Sequence, residues 1–267
     1  MALSRLSALC ASLAFGVLAA ACSTTPKDPT ADWSPNRIYQ EAMEERNAGN
    51  LTQAIKYFEK LENRAAGTPL AQQAQLEKAF AHYKAGEAAQ AEATIERFLR
   101  LHPASPAIDY ALYLNGLVNF NDNLGILGWL SKQDLSERDQ KSAKLSFEAF
   151  KDLVNRFPNS RYATDAQQRM TYIVNSLAQS EVNVARYYFQ RQAYVAAVAR
   201  AQSAITQYPS SPSHEEALGI LVHAYQAMGL NDLRDDALRV LKSNFPQSQY
   251  ARVEALQNSD KPWWRLW

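Results

Sequence analysis

The sequence has little cysteine, no marked excess of charge of either sign and no long uninterrupted apolar run. Cys10 and Cys22 are the only cysteines among 267 residues, so at most one internal disulfide can form. Lysine and arginine together number 28, aspartate and glutamate 27, and no basic block stands out. This balance argues against a nucleic-acid-binding surface. The apolar stretch over residues 6–21 is shorter than the roughly 20 residues of a membrane-spanning helix.

Sequence signatures of catalysis are also missing. No zinc-protease, nucleophile-elbow, P-loop or dinucleotide-binding motif occurs. Acidic pairs such as Glu44 and Glu45 are adjacent on a predicted helix, where neighbouring side chains do not converge. The histidines are scattered, and each is more simply a structural or surface residue than a metal ligand: His82, His102, His214 and His223. We therefore expect a binding scaffold without catalytic residues, metal or cofactor.

The N-terminus has the organisation of a secretory signal peptide. Arg5 is its single charge, and an apolar stretch of signal-peptide length follows. Polar sequence resumes at Ser23 without a stop-transfer pattern. We predict that residues 1–21 are removed.

Residues 18–22 (LAAAC) resemble the bacterial lipobox, in which the cysteine becomes the lipidated first residue of the mature chain. Ala19 stands where the lipobox prefers leucine. The prediction is lipidation at Cys22, and the alternative is a soluble secreted protein with one free thiol. Because Cys10 leaves with the signal peptide, the mature chain cannot form an internal disulfide. By analogy with lipoprotein sorting, Ser23 favours delivery to the outer membrane.

The remaining sequence is helical in pattern and repetitive. Alanine, glutamine, leucine, glutamate, arginine and lysine dominate, and helix breakers fall between segments. Four segments each end in an apolar residue, a proline that stops the helix and a serine suited to capping the next one. These segments are 101–105 (LHPAS), 156–160 (RFPNS), 207–211 (QYPSS) and 244–248 (NFPQS).

Offsets within the segments match the tetratricopeptide repeat, a helix-turn-helix unit of about 34 residues. Gly86, Ala91, Phe98 and Pro103 lie at relative positions 0, 5, 12 and 17. A fourth unit keeps this spacing but has Gln192 where glycine is expected at the turn. We predict an all-α tetratricopeptide-repeat solenoid of about five helix pairs. The predicted pairs are 36–49/51–64, 70–85/88–102, 106–121/136–157, 161–190/193–208 and 212–229/231–245.

The domain prediction follows from these pairs. A flexible lipidated tether covers residues 22–35, and an N-terminal repeat half covers 36–158 with an insertion at 121–135. A C-terminal repeat half covers 159–247. The tail, 248–267, has three tryptophans in its last seven residues. The insertion and the tail are apolar enough to fold back on the repeats or to meet a partner or the membrane interface.

Three blocks of sequence carry a closer resemblance. The first is 97–103 (RFLRLHP) with 108–117 (IDYALYLNGL), the second is 157–166 (FPNSRYATDA) with Arg169 and Met170, and the third runs from Leu177 to Arg200 and includes Glu181, Tyr187, Tyr188, Arg191 and 193–198 (AYVAAV). They resemble the BamD family of outer-membrane assembly lipoproteins. The likeness extends from about Ile38 to Leu241, whereas general tetratricopeptide proteins share only the alanine and proline spacing.

The resemblance implies a non-catalytic component of the β-barrel assembly machinery, anchored on the periplasmic face of the outer membrane. Its partners would be the periplasmic POTRA domains of BamA, BamC and BamE where present, and unfolded outer-membrane proteins, with no nucleic acid. On the BamA side, Arg200 is the main candidate, with Arg191 and Tyr194 near it, because arginine and tyrosine are typical interface anchors. Ala199 stands where the family has asparagine. The candidates for the substrate-peptide groove are Tyr39, Tyr83, Tyr110 and Tyr113.

Two other classes of function stay open at this point. A periplasmic repeat lipoprotein acting at peptidoglycan, in competence or in cell-envelope maintenance would have the same N-terminus and repeats. An enzyme would need a polar pocket with paired acid and base groups, and the sequence offers none.

Overall fold

A computed structural model describes residues 28–120 and 137–251 of the chain, with the side chains of 137–139 excepted. Within these ranges there are ten α-helices, a short 3₁₀ turn and no strand. The helices are α1 (Pro35–Asn47), α2 (Leu51–Arg64), α3 (Pro69–Lys84), α4 (Ala88–Leu101), α5 (Ile108–Asn119), α6 (Glu137–Arg156), α7 (Ala163–Gln190), α8 (Tyr194–Gln207), α9 (His214–Ala227) and α10 (Asn231–Asn244). The 3₁₀ turn covers Gln249–Ala251. The prediction of an all-α fold of five helix pairs is confirmed, with each described helix end within about two residues of its predicted position.

The turns inside the helix pairs explain the spacing of the glycines. Gly49, Gly86 and Gly229 have φ angles of +87°, +76° and +72°, which glycine adopts without steric cost. Gln192 occupies the same turn of the fourth pair with φ +61°. A residue with a Cβ in this left-handed conformation costs about 1–2 kcal/mol. The turn geometry is therefore kept even where the sequence departs from glycine.

The serines after the prolines have a different role from the one predicted. The hydroxyl of Ser160 accepts a hydrogen bond from the Tyr162 backbone N–H at 3.2 Å, and that of Ser211 accepts one from the Ser213 N–H at 3.3 Å. Each serine thus closes a local turn two residues long, and the capping position of the following helix falls on a later residue. The prediction of serine caps was wrong because the chain makes this extra turn before each helix begins.

Two compact units make up the chain, divided after Ala85. The first unit contains α1, α2 and α3, with α2 in contact with both others. Its core is formed by alanines and a few large side chains, of which Ile38, Phe58 and Leu61 are fully buried. Ser34 and Thr68 accept hydrogen bonds from the third residue beyond each, and a proline follows each one in the first turn, so both helix starts are fixed locally.

The second unit contains α4 to α10, and each helix contacts its neighbour in sequence. Alanines at the close approaches, such as Ala197, Ala201 and Ala204 on α8, are fully buried. Where α5 meets α6, Gly116 lies under the buried ring of Phe150, which occupies the space that a Cβ at position 116 would need. Small residues therefore set how closely these helices pack. The predicted division at residue 158 into two functional halves stays a prediction.

Candidate functional site

Aromatic residues of the first helices of the repeats form clusters with arginine side chains in both units. In the first unit, the Tyr39 ring on α1 lies 6.3 Å from Phe58, and its hydroxyl accepts a hydrogen bond from the Gln73 amide on α3 at 2.6 Å. Tyr83 on α3 lies 6.3 Å from Phe80. Both tyrosines are half-buried. Each predicted groove tyrosine in this unit therefore packs partly within its own repeat and keeps an exposed edge.

A charged pair borders the first cluster. Arg46 on α1 forms an ion pair with Glu77 on α3, and its guanidinium lies 5.6 Å from the centroid of the Phe80 ring. Both charged side chains are about one-fifth exposed. Partial burial, followed by the nearby Glu77 charge, raises the pKa of Tyr39. The tyrosine therefore stays neutral, with its hydroxyl available for hydrogen bonding.

The second unit has a larger cluster, where α5 meets the start of α7. Tyr113 stacks on Tyr162 with centroids 4.7 Å apart and planes 18° from parallel, and Tyr110 lies 5.6 Å from the same ring. Phe120 lies 5.7 Å from Tyr172. We call these five half-buried rings the α5–α7 aromatic surface.

Charged groups are interleaved with these rings. The Asp165 carboxylate accepts hydrogen bonds from the Tyr113 hydroxyl at 2.7 Å and from Arg169 Nε at 2.6 Å. Partial burial acts to raise the pKa of Asp165, but the hydrogen bonds from Arg169 and Tyr113 outweigh it and hold the pKa below its usual value. The Arg169 guanidinium lies 4.7 Å from the Phe120 centroid, and that of Arg161 lies 4.7 Å from the Tyr162 centroid. Such a surface suits an extended peptide with aromatic side chains, since the rings offer faces and the arginines offer donors.

Sequence reasoning found two of these five rings. Tyr110 and Tyr113 were predicted from their place on a first helix, whereas Phe120, Tyr162 and Tyr172 were not. Tyr162 precedes the first residue of α7. No signal in the sequence marks the meeting of first helices from successive repeats: three of the rings lie on α5 or directly after it, and two lie on α7 or directly before it.

Of the three residues predicted to meet BamA, Arg191 and Tyr194 flank the α7–α8 turn, and Arg200 lies nearly two helical turns further along α8. Arg191 is exposed at the end of α7, with its guanidinium 4.8 Å from the Tyr187 centroid, and half of Tyr187 is exposed. Tyr194 is half-buried and packs edge-on against Phe189 at 5.4 Å. Tyr194 is thus also part of the fold.

Arg200 forms an ion pair within the chain. Its Nη1 lies 3.2 Å from Glu181 Oε2 on α7. The Glu181 side chain is 11% exposed and that of Arg200 48%. Glu181 therefore holds the guanidinium at the edge of α8, while about half of the arginine remains accessible.

An apolar groove of about 280 Å³ lies between α8, α9 and α10. Ile205, Leu221, Leu233 and Val240 are among its lining residues, and Leu233 and Val240 are more than 40% exposed. Ile205 is about 140° around α8 from Arg200 at 100° per residue, so the groove and Arg200 lie on different flanks of that helix.

The described histidines include one that is deeply buried. Burial lowers the pKa of His223 to about 4, against an opposing hydrogen bond to the Tyr250 backbone. This side chain is neutral at physiological pH and belongs to the packing of α9. Over residues 28–120 and 137–251, no group of three or more histidine, cysteine or acidic residues is placed to hold a metal ion. None of the helices in those ranges has the length and apolarity to cross a bilayer.

Comparison with known proteins gives the family. A family model described as "Outer membrane lipoprotein" (YfiO) matches residues 31–241. Relatives named outer membrane protein assembly factor BamD match nearly the whole chain. The protein of Neisseria meningitidis serogroup A is 46% identical over 96% of this chain and 97% of its own length. The chain belongs to the BamD family of outer membrane lipoproteins.

More distant members of the family match the same part of the chain. The protein of Xylella fastidiosa strain Temecula1 is 36% identical over 90% of this chain and 82% of its own length. That of Vibrio cholerae is 36% identical over 88% of this chain and 95% of its own length. The resemblance drawn from three sequence blocks is therefore confirmed over the full set of repeats.

Among solved structures, the tetratricopeptide-like repeats of a kinesin light chain from Podosopora anserina cover 84% of this chain and 98% of their own length. The sequence identity is 15% and the TM-score 0.35. A likeness at this TM-score adds nothing to the argument, and the repeat architecture rests on the helix pairs themselves.

Three predicted features lie outside the described residues. These are the lipidation site Cys22 with the signal peptide, the insertion at 121–135, and the tryptophan-rich end of the tail. Their predicted roles stay predictions.

Proposed function

We propose that this chain is a non-catalytic outer membrane protein assembly factor, which binds unfolded outer-membrane proteins and a BamA partner. Its place in the BamD family supports the class of function. The observation that carries the proposal is the α5–α7 aromatic surface, where tyrosine rings alternate with arginine and aspartate side chains. A surface of this composition can bind an extended segment through its side chains, without chemistry or nucleotide.

The proposed substrate is a strand segment of an unfolded barrel protein. Such segments alternate apolar and polar side chains, because one face of a barrel strand meets lipid and the other meets the lumen. Aromatic side chains of the segment would pack against Tyr110, Tyr113 and Tyr162, and Arg161 would meet a carboxylate or backbone carbonyls. Tyr39 and Tyr83 give the first unit a smaller surface of the same chemistry.

The proposed BamA contact is centred on Arg200, with Arg191 beside the α7–α8 turn. A carboxylate on a POTRA domain could pair with the half-exposed guanidinium that Glu181 holds in place. Tyr194 contributes by fixing the turn through its contact with Phe189. BamC and BamE would join where the organism has them.

Cys22 is proposed as the lipid anchor on the periplasmic face of the outer membrane. Each buried CH₂ of an acyl chain contributes about 0.8 kcal/mol, so several chains on one cysteine hold firmly. The anchor would keep the repeats where unfolded barrel chains arrive.

Depletion of the protein tests the class of function. We expect the amount of folded outer-membrane barrel proteins to decrease, as measured by heat-modifiable mobility on gels. The amounts of lipoproteins from other pathways should not change. The purified soluble chain should co-purify with BamA and should not sediment with peptidoglycan sacculi. Unchanged barrel levels after depletion, with sedimentation on sacculi, would favour the peptidoglycan function instead.

Tyr162→Ala tests the substrate surface. We expect about tenfold weaker binding of a peptide ending in alternating aromatic residues, because one desolvated aromatic contact contributes about 1–2 kcal/mol. Fluorescence anisotropy with a labelled peptide measures the loss of affinity.

Tyr187→Ala is the matched control. It removes a more exposed tyrosine near the C-terminal end of α7, away from the α5–α7 aromatic surface, and should leave peptide affinity unchanged. Equal losses in the two variants would show that the peptide does not use the α5–α7 aromatic surface.

A further inference from the structure

A network of hydrogen bonds around Asp28, which we call the Asp28 knot, fixes the chain ahead of the first helix. The Asp28 carboxylate accepts from Lys60 Nζ at 2.5 Å and lies 3.5 Å from Arg64 Nη2, both on α2. It also accepts from the backbone N–H and hydroxyl of Thr30 at 3.0 and 2.8 Å. Arg64 in turn donates to the backbone carbonyls of Thr30 and Trp33 at 2.6 and 3.2 Å. Residues 28–33 are therefore held on α2, although the sequence placed them in the tether.

The charges of the knot persist over the physiological pH range. The hydrogen bond from Lys60, followed by that from the Thr30 backbone, holds the pKa of Asp28 well below its usual value. Thr30 is fully buried beneath this contact. The Asp28 carboxylate is therefore charged at neutral pH, where it pairs with Lys60 and Arg64.

The knot starts within the segment that the sequence predicts as a tether. Asp28 is six residue steps beyond the predicted start of the mature chain at Cys22, whereas Pro35 is thirteen steps beyond it. Six residues span at most about 20 Å when fully extended. An acylated Cys22 lies at the bilayer surface, so the part of the first repeat that contains Asp28 must stay close to that surface.

The residues nearest the knot suit a lipid-water interface. Trp33 is half-buried, with the Arg37 guanidinium 4.5 Å from its ring and Tyr57 at 5.8 Å. Arg37 is exposed. Tryptophan and tyrosine favour the headgroup region, and arginine adds attraction to anionic headgroups.

We propose that the Asp28 knot is a tether stop, which seats the Trp33–Arg37 end of the first repeat on the bilayer surface. The inference rests on the proposed lipid anchor at Cys22. The surface that the Trp33–Arg37 end contacts is the membrane, at the level of the lipid headgroups.

Spin labels at the two ends of α1 test the contact. In the lipidated mature chain the sulfur of Cys22 is blocked, so one introduced cysteine is the only free thiol. Asn36→Cys and Ala48→Cys are both exposed, and the 13 residues of α1 separate its ends by about 20 Å. In vesicles of phosphatidylethanolamine and phosphatidylglycerol, we expect the label at 36 to be more accessible to lipid-dissolved oxygen. The label at 48 should be more accessible to a water-soluble nickel complex.

Variants of the knot test the tether stop. Asp28→Asn removes the charge that binds Lys60 and Arg64, and should abolish the difference between the two labels. Insertion of six glycine and serine residues before Asp28 leaves the knot intact but lengthens the tether, and should have the same effect. Asp32→Asn removes an exposed carboxylate of the same segment and should change nothing.

The outcomes separate the anchor from the contact. A chain that fails to float with the vesicles refutes the lipid anchor and with it the inference. A chain that floats with equal accessibility at 36 and 48 refutes only the membrane contact. A difference that survives both Asp28→Asn and the insertion refutes the tether stop.

Discussion

Gly116→Ala is expected to lower the free energy of unfolding by about 1–2 kcal/mol, although alanine is the better helix former. In an exposed helix interior this substitution stabilises by about 1 kcal/mol. Here the added Cβ would overlap the ring of Phe150, which is fully buried, so the ring must shift within the core. Overpacking of a filled core typically costs about 1–3 kcal/mol. The sign of the change therefore distinguishes close packing from helix propensity.

The consequence extends to the α5–α7 aromatic surface. Phe150 lies 6.0 Å from Tyr113 and 6.2 Å from Phe120, so a displaced Phe150 ring disturbs two of the five rings. We expect Gly116→Ala to weaken peptide binding together with stability. Urea denaturation followed by circular dichroism, alongside fluorescence anisotropy of the peptide, measures the two effects.

A second substitution tests whether the clash with Phe150 causes the loss of stability. Gly116→Ala combined with Phe150→Leu makes room for the methyl group and should recover part of the lost stability. Asn119→Ala on the same helix, at a half-buried position, should change stability by less than about 1 kcal/mol. A gain in stability from Gly116→Ala would refute the account of helix packing given above.

Arg200→Ala is expected to weaken binding of the BamA POTRA domains about thirtyfold, which corresponds to about 2 kcal/mol. The half-exposed guanidinium is the group proposed to pair with a partner carboxylate. Surface plasmon resonance with purified POTRA domains measures the loss. Arg239→Ala removes a more exposed arginine on α10 and should leave affinity unchanged.

Glu181→Gln separates binding from folding. Both Arg200→Ala and Glu181→Gln break the ion pair within the chain, but only the first removes the guanidinium. Because the carboxamide can still accept a hydrogen bond, Glu181→Gln should keep POTRA affinity or raise it slightly. If both variants lose affinity equally, the pair supports the fold and Arg200 does not itself meet the partner.

The sequence was sufficient for the helices because their signals are local. Prolines end the second helices of the last four pairs, glycines mark the turns, and alanines recur at the close approaches. Gln192 shows the limit of this reading, since the turn keeps its left-handed conformation without glycine. Neighbouring turns and helix contacts fix that backbone conformation, so a single departure from the pattern does not change the fold.

The sequence was less informative where residues distant along the chain meet. Tyr113 and Tyr162 are 49 positions apart, and only the packing of α5 against α7 stacks their rings. The sequence alone suggests that Arg200 is an unpaired interface residue, but in the fold Glu181 on α7 forms an ion pair with it. Residues 28–33 read as tether because their composition is that of a linker, and their partners Lys60 and Arg64 lie about 30 positions away.

The sequence by itself determined the all-α class, the helix pairs and the family, and the anchor at Cys22 stays a prediction from it. Each of these depends on composition or on spacing within about 35 residues, which local propensity and helix periodicity make readable. Tertiary structure alone decided which tyrosines form one surface, what holds Arg200 and what holds residues 28–33 on α2. Those features depend on side chains from different helices, and their meeting is set by packing that no local pattern records.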